Sequence, residues 1–274
     1  MLPLKDNVPT SRFAVVTVAL IAINLAAFVW QLSLPSDEPS NAQLAQAGVS
    51  ERDQASIEYG AIPYRVTHPG SQCGVTTKAI VCGQDGVVEA GGPEGSAIPE
   101  NLDAPPWWVT LLTSMFLHAD ILHIAGNMLF LWVFGNNVED AMGRGRFVLF
   151  YLLAGIAAVY AQSALDASST GPTIGASGAV AGVLGAYAVL HPKARVLSLV
   201  FIIFFVTLIE IPALILLAIW FALQFIPAVG QLATPDVAGE GGIAYLAHVG
   251  GFIFGLAAIR LFARRARTAR PLPR

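Results

Sequence analysis

Six apolar runs, separated by shorter polar stretches, dominate the sequence. Each is close to the roughly 17 to 25 residues that an α-helix needs to cross the hydrocarbon core of a bilayer. The pattern therefore predicts an all-α polytopic membrane protein with six transmembrane helices. The predicted spans are residues 13–32, 117–138, 147–165, 174–190, 211–229 and 243–262.

Two of the apolar stretches allow another interpretation. Residues 13–32 follow two basic residues, as in a signal peptide, but the run exceeds the ~7–15 apolar residues usual there, so we expect an uncleaved span. Residues 196–229 are too long for one helix and contain Glu210 and Pro212. A seventh span at 196–209 would place the basic C-terminus outside, so we expect a buried or interfacial segment there.

Charged residues make up only 12% of the chain, against roughly 25% in soluble domains. Most basic residues lie at the N-terminus and after the second, fourth and sixth predicted spans. With six spans these segments share one side, which the positive-inside rule assigns to the cytoplasm. Both termini are then cytoplasmic, and the acidic loop between the first two spans lies outside. We expect an integral membrane protein of a bacterial cytoplasmic (inner) membrane.

This topology divides the chain into five parts. They are a cytoplasmic N-terminus (1–12), a first transmembrane helix (13–33), an extracytoplasmic insertion (34–107), a membrane core with helices two to six (108–262) and a basic cytoplasmic tail (263–274). Short β-like pieces at 78–82 and 86–90 predict a hairpin in the insertion. Its compartment permits a disulfide between Cys73 and Cys82, and two free thiols are the alternative.

A few polar residues lie at membrane depth, where each needs a partner or a purpose. At ~1.5 Å per residue, four of them lie roughly 18–24 Å from the predicted cytoplasmic ends of their helices. In a core ~30 Å thick, all four occupy the outer half. Three different helices therefore deliver them to one layer. The four residues are Ser177, His248, His123 and Asn127.

The helix faces predict that the serine and one histidine meet. Ser177 lies beside a GxxxG pair on span four, and His248 shares a stripe with Gly251 and Gly255 on span six. Such surfaces let helix backbones approach closely. A neighbouring imidazole that accepts the serine proton makes the hydroxyl a nucleophile. Spans four and six hold no acid near this depth, so we expect a dyad whose imidazole is oriented by packing.

Donors for a developing oxyanion are also predicted. His123 and Asn127 are spaced i, i+4 and share one face of span two, and the backbone N–H of Ser177 adds a third donor at a helix start. We expect Asp120 to cap the second span. That cap leaves His118 in the preceding loop, with a structural or water-holding role.

Simpler interpretations exist for each feature. Stripes of small residues usually mark helix packing, and a single buried His or Asn is often an interhelical hydrogen-bonding group. The spacing of the histidines argues against a metal site, and the spans lack the paired charges of a transporter. The convergence of four polar groups at one depth nevertheless favours a reactive site. The basic tail is explained by topology, so no nucleic-acid partner is predicted.

Three stretches, FLHADILHIAGNMLFLWVFG, GASGAVAGVLGAY and AHVGGFIFG, resemble the motifs of the rhomboid family of intramembrane serine proteases. They occur in the family's order, and the resemblance covers residues 107–262. It implies a six-helix bundle and a serine endopeptidase without metal or cofactor. The implied partners are membrane lipid and transmembrane protein substrates that enter laterally. A catalytically silent relative that binds transmembrane clients is the alternative, and the sequence sets no oligomeric state.

The resemblance also implies roles for the matching residues. Ser177 is the nucleophile, His248 the general base, His123 and Asn127 the oxyanion donors, His118, Gly175 and Gly178 supporting residues, and Trp220 and Gln224 part of a substrate gate. Where some members carry a tyrosine that stacks on the histidine, this chain has Ala181. The acidic insertion stands where some members carry a tryptophan–arginine pair.

Overall fold

The computed structural model describes residues 1–76, 79–92, 104–202, 205–233 and 243–263. Within these ranges the chain is mostly helical and carries two small antiparallel sheets. The helices are α1 (Val15–Ser33), α2 (Ala42–Ala47), α3 (Glu51–Tyr59), α4 (Pro63–Thr67), α5 (Trp107–Thr113), α6 (Ile121–Met142), α7 (Arg144–Leu165), α8 (Ser177–Leu190), α9 (Ala213–Ala233) and α10 (Tyr245–Phe262), with a 3₁₀ turn at Ser114–Phe116. The strands are β1 (Leu2–Asp6), β2 (Gln72–Val75), β3 (Ile80–Gly83), β4 (Arg195–Ile202) and β5 (Phe205–Pro212).

Among the described residues, five helices are long and apolar enough to cross a membrane: α1, α6, α7, α9 and α10. They correspond to predicted spans one, two, three, five and six, in agreement with a polytopic helical bundle. The fourth predicted span differs, because α8 has only 14 residues and is roughly 21 Å long. A bilayer core is ~30 Å thick, so α8 is too short to cross it alone. The exact count of six crossings stays a prediction.

The contact between α8 and α10 is made through glycines, as the two predicted stripes require. A Cβ atom on Gly251 would overlap the carbonyl oxygen of Gly178, and one on Gly255 would overlap that of Gly182. Gly185 faces the backbone of Phe252 in the same way. The two backbones therefore touch directly, which is how helices associate where lipid removes the hydrophobic driving force.

A buried carboxylate holds the start of α1 against α6. Glu139 accepts hydrogen bonds from the backbone N–H groups of Val16 (3.1 Å) and Thr17 (2.7 Å) and from the Thr17 hydroxyl (2.8 Å). First-turn N–H groups lack intrahelical partners, and Ala14 supplies no side-chain cap. The carboxylate therefore caps α1 from the neighbouring helix.

Residues 195–212 contain the main departure from the sequence prediction. Where a buried or interfacial segment was expected, β4 and β5 form a hairpin, and β1 pairs with β4 to complete a sheet of order β1-β4-β5. Val196 and Ser198 point inward, while Phe201 and Leu208 are exposed. The helical bundle thus carries a sheet that apolar run length does not predict. The fifth predicted span, 211–229, starts slightly later than expected, at Ala213 of α9. Glu210 lies before it and is exposed on β5.

Asp6, the last residue of β1, links this sheet to the helical bundle by hydrogen bonds. Asp6 accepts hydrogen bonds from the Asn137 side-chain amide and the Tyr187 hydroxyl, both at 2.6 Å. Burial raises the pKa of Asp6, and the hydrogen bond from the Tyr187 hydroxyl counters that effect in part.

The predicted insertion contains a β-hairpin, but one of its two strands differs from the expected strand. Strand 80–83 pairs with 72–75, so that Cys73 lies opposite Cys82 and the two sulfurs are bonded. The expected partner, 86–90, contributes only an isolated bridge from Ala90 to Cys82. After strand 80–83 the chain turns at once, and the Val87 N–H donates to the Gln84 carbonyl at 2.9 Å.

Arg52 on α3 anchors the insertion to α1. Its guanidinium donates to the backbone carbonyls of Gln31 (3.1 Å), Leu32 (3.2 Å) and Leu34 (3.0 Å). A cation at a helix C-terminus satisfies free carbonyls and complements the helix dipole. The insertion thus packs on the bundle at the end where α1 finishes. The boundaries of the five predicted parts stay predictions, and residues 264–274 of the basic tail lie outside the described residues.

We expect Gly255→Ala to lower the free energy of unfolding by about 1–3 kcal/mol, because its methyl group would overlap backbone atoms of α8. Reversible unfolding in mixed detergent micelles measures the change. Gly145→Ala is the matched control, since a Cβ there meets nothing within 4 Å. Equal stability of the two variants would contradict direct backbone contact between α8 and α10.

Candidate active site

Serine 177 and histidine 248 form a hydrogen-bonded pair between α8 and α10. The Ser177 hydroxyl oxygen lies 2.8 Å from His248 Nε2. Ser177 directly precedes Gly178, and His248 lies three residues before Gly251, so the glycine contact between the helices brings the two side chains together. Both are partly buried. A serine hydroxyl that donates to a neutral imidazole is the arrangement of an activated nucleophile.

The loop before α8 ends at Ser177, which is the first residue of that helix and lies inside the bundle. Gly175 has φ +120°, a conformation that L side chains rarely adopt, and its N–H donates to the Ser114 carbonyl (2.8 Å). The first N–H groups of any helix have no intrahelical partner, and at the start of α8 the residue Ala176 provides no side-chain cap for them. Ser177 is the first residue of α8, so its backbone N–H is one of these groups.

His123 and Asn127 supply further donors from α6, which begins at its predicted cap. Asp120 accepts from the His123 backbone N–H at 2.8 Å. The Ala119 N–H donates to His123 Nδ1 (3.4 Å), which leaves Nε2 as the protonated nitrogen. The amide nitrogen of Asn127 is buried and has no hydrogen-bond partner among the described residues. Two side-chain N–H groups are thus available.

His123 reaches the serine side of the site. A Cβ placed on Gly175 would lie 2.7 Å from His123 Nε2 and 3.5 Å from the Ser177 hydroxyl oxygen. The imidazole therefore packs on the bare Cα of Gly175, next to the hydroxyl. Any side chain at residue 175 would push the ring away.

His118 lies in the loop before α6, as predicted, and it is buried. The Ala176 N–H donates to its Nε2 over a long 3.5 Å contact, and its ring meets that of His123 edge-on at 5.1 Å. Gln31 on α1 pairs with the backbone of His118 in both directions, accepting from its N–H (2.9 Å) and donating to its carbonyl (3.3 Å). His118 thus supports the segment that carries Ser177.

Gln224, predicted as part of a gate, directly contacts His248. Its side-chain oxygen lies 2.8 Å from His248 Nδ1, and the Trp220 ring lies 6.2 Å from the imidazole. From the sequence, packing alone is expected to orient His248, and the structure adds this hydrogen bond. The signal was present, since Gln224 is itself a polar residue in an apolar helix. The gating role stays a prediction.

Gln162, which was not among the predicted site residues, supports the start of α10. Gln162 on α7 accepts from the backbone N–H of Ala247, the residue before His248, at 3.2 Å. As with Gln31 and Gln224, its position inside an apolar run was the available signal.

The predicted insertion braces the segment that leads to Ser177. Ala61 and Thr173 exchange backbone hydrogen bonds of 3.0 and 2.8 Å, and the Tyr64 N–H donates to the Ser169 carbonyl at 3.0 Å. Pro172 packs on Gly60, where a Cβ would meet it at 2.8 Å. This part of the chain therefore adds backbone support to the site from outside the helices.

The combined geometry offers groups that acyl transfer can use: a hydroxyl hydrogen-bonded to an imidazole, and the His123 side chain beside that hydroxyl. Among the described residues, no group of three or more His, Cys, Asp or Glu side chains is placed to hold a metal ion.

We expect Gly175→Ala to displace the His123 ring and to slow the labelling of Ser177 by a fluorophosphonate about tenfold or more, as for loss of one oxyanion donor. Gly171→Ala is the matched control in the same loop, since a Cβ there meets only the Ser169 hydroxyl oxygen, at 3.8 Å. If Gly175→Ala is labelled at the same rate as the Gly171→Ala control, that result would contradict the close packing of His123 on Gly175.

The chain is similar to several known proteins. A family model, the Rhomboid domain, matches residues 105–265. The mitochondrial Rhomboid protein 1 of Saccharomyces cerevisiae is 30% identical over 152 residues, or 54% of this chain and 40% of the relative. The Rhomboid protease GluP of Bacillus subtilis is 44% identical over 100 residues, or 36% of this chain and 18% of the relative. The human mitochondrial Presenilin-associated rhomboid-like protein is 33% identical over 94 residues, or 34% and 24%.

This chain thus spans less than half the length of each of these relatives. The region matched by the family model runs from the start of α5 to the end of α10 and covers more than half of the chain. It contains the hydrogen-bonded Ser177–His248 pair, the side-chain N–H groups from α6 and four of the five helices that are able to cross a membrane. The chain belongs to the rhomboid family of integral membrane proteins.

Proposed function

We propose that this protein is an intramembrane serine endopeptidase that cleaves transmembrane or membrane-proximal segments of other membrane proteins. The observation that carries the proposal is the 2.8 Å contact between the Ser177 hydroxyl and His248 Nε2. The name of the Bacillus subtilis relative, a rhomboid protease, supports the same activity.

In the proposed reaction, Ser177 Oγ attacks the carbonyl carbon of the scissile peptide bond while its proton passes to His248 Nε2. The tetrahedral intermediate then collapses. The C–N bond breaks, and the imidazolium gives the proton to the leaving amine. Water attacks the resulting ester with the same base, which releases the carboxylic acid and restores the hydroxyl.

Negative charge that develops on the carbonyl oxygen needs donors that are already in place. His123 Nε2, the Asn127 amide and the Ser177 backbone N–H are the proposed donors. The buried and unpartnered state of the Asn127 amide nitrogen supports this role, because an unmet buried donor is costly unless it serves a function.

The same proposal places the site in the outer half of the membrane, with both termini in the cytoplasm of a bacterium. The supporting observations are the basic segments of one side and the start of α8 at Ser177, roughly 21 Å from the other end of that helix. Substrates would enter laterally beside α9, which is the least buried of the five candidate spans. Trp220 and Gln224 on α9 would then line the route to His248.

We expect Ser177→Ala and His248→Ala to lower the cleavage of a model transmembrane substrate in liposomes by about 10³-fold or more, because each removes half of the dyad. Ser163→Ala is the matched control. It removes a buried serine from α7 whose hydroxyl has no hydrogen-bond partner among the described residues, and its activity should stay within about twofold of the wild type.

Full activity of the alanine 177 variant would refute the proposal. A catalytically silent relative that only binds transmembrane clients predicts a different result: no cleavage and no fluorophosphonate labelling of the wild type.

We expect Asn127→Ala to lower kcat by about 10²- to 10³-fold and to leave KM nearly unchanged, because its donor acts on the transition state. His123→Ala should lower kcat in the same way. Steady-state kinetics with the same substrate separate the two constants. A rise in KM at unchanged kcat would instead place these residues in substrate binding.

A further inference from the structure

We propose that Gln224 is a positioning residue that holds His248 in the tautomer required for catalysis. The inference rests on the proposed function and adds a third member to the dyad. Its starting point is the 2.8 Å contact between the Gln224 side-chain oxygen and His248 Nδ1.

The orientation of the Gln224 amide follows from its two contacts. Its nitrogen lies 3.4 Å from the carbonyl oxygen of Trp220, one turn earlier in α9. A carbonyl only accepts, so the amide nitrogen must face Trp220 and the amide oxygen must face His248. The side chain is thus fixed at both ends.

The tautomer of His248 follows from this orientation. An amide oxygen only accepts, so Nδ1 must carry the proton and donate it to Gln224. In a neutral imidazole the other nitrogen is then the acceptor, and Nε2 faces the Ser177 hydroxyl. The opposite tautomer would direct an N–H at Ser177 and could not take its proton.

Among the described residues, the imidazole of His248 has no other hydrogen-bond partner than Ser177 and Gln224. The rings of Trp220 and Tyr245 lie 6.2 and 6.3 Å away and limit the ring's position, but they do not distinguish its nitrogens. Ala181 offers no ring to stack on it. Gln224 therefore takes the orienting role that a carboxylate has in a catalytic triad, without placing a charge in the membrane.

This hydrogen bond also links the base to the position of α9. On α9, Trp220 and Phe221 pack against Phe252 of α10, at ring distances of 6.0 and 4.8 Å. While this packing holds, the Gln224 oxygen stays on Nδ1. A displacement of α9 away from α10 would release the imidazole, so the base is correctly oriented only when the two helices are in contact.

The test compares two substitutions at one position. Gln224→Met keeps the length of the side chain but removes the acceptor, and we expect kcat to fall about 10- to 100-fold with KM within about twofold. Gln224→Glu should retain kcat within about tenfold, because a protonated carboxyl group can accept from Nδ1 and donate to the Trp220 carbonyl. Ile215→Met is the matched control on the same helix, since Ile215 is exposed and lies more than two turns from Gln224, and it should retain wild-type kcat.

Nitrogen-15 NMR of histidine-labelled protein reads the tautomer directly, with the His248 signals assigned by their loss in His248→Ala. We expect Nδ1 to be protonated in the wild type and in Gln224→Glu, and both tautomers to be populated in Gln224→Met. Unfolding measurements on all variants separate this effect from a general loss of stability, which would lower the kcat of Gln224→Met and Gln224→Glu alike.

An unchanged kcat and tautomer in Gln224→Met would overturn this inference, and so would equal losses in the two Gln224 variants. The proposed function fails separately. If the wild type neither cleaves the substrate nor reacts with a fluorophosphonate, the protease proposal is wrong, whereas the NMR experiment still reports whether Gln224 sets the tautomer.

Discussion

The backbone contact between α8 and α10 is the constraint on which the rest of the site depends. Lipid surrounds these helices with a medium as apolar as their own side chains, so they associate through close packing. Gly178 and Gly182 on one helix and Gly251 and Gly255 on the other remove the side chains that would separate them. Ser177 precedes Gly178, and His248 lies about one helical turn before Gly251. The contact between the helices therefore also brings the hydroxyl and the imidazole together.

Neutral amide side chains support this pair of residues, directly or through the backbone, where soluble enzymes often use carboxylates. Gln31 holds the backbone of the loop before α6, Gln162 the start of α10, and Gln224 the imidazole itself. A buried charge is expensive in an apolar medium, whereas an amide satisfies a donor and an acceptor at once without ionising. The choice of glutamine therefore follows from the location of the site.

Elements outside the bundle contribute as well. The insertion pairs Ala61 with Thr173 just before the serine loop and caps the end of α1 through Arg52, while β1 ties the opposite end of the bundle to α6 and α8 through Asp6. The short helix α8, which carries Ser177, is thus supported at both ends by segments that do not cross the membrane.

The sequence by itself determined the helical bundle, the cap at Asp120 and the meeting of Ser177 with His248. Helix period and the cost of polar groups in lipid are local properties, and they can be evaluated along one chain. Only the tertiary structure decided that β4 and β5 form a sheet with β1 and that Gln224 reaches Nδ1 of His248. The physical reason is that both depend on contacts between segments far apart in sequence: a strand needs a partner for its backbone hydrogen bonds, and an amide needs an imidazole within 3 Å.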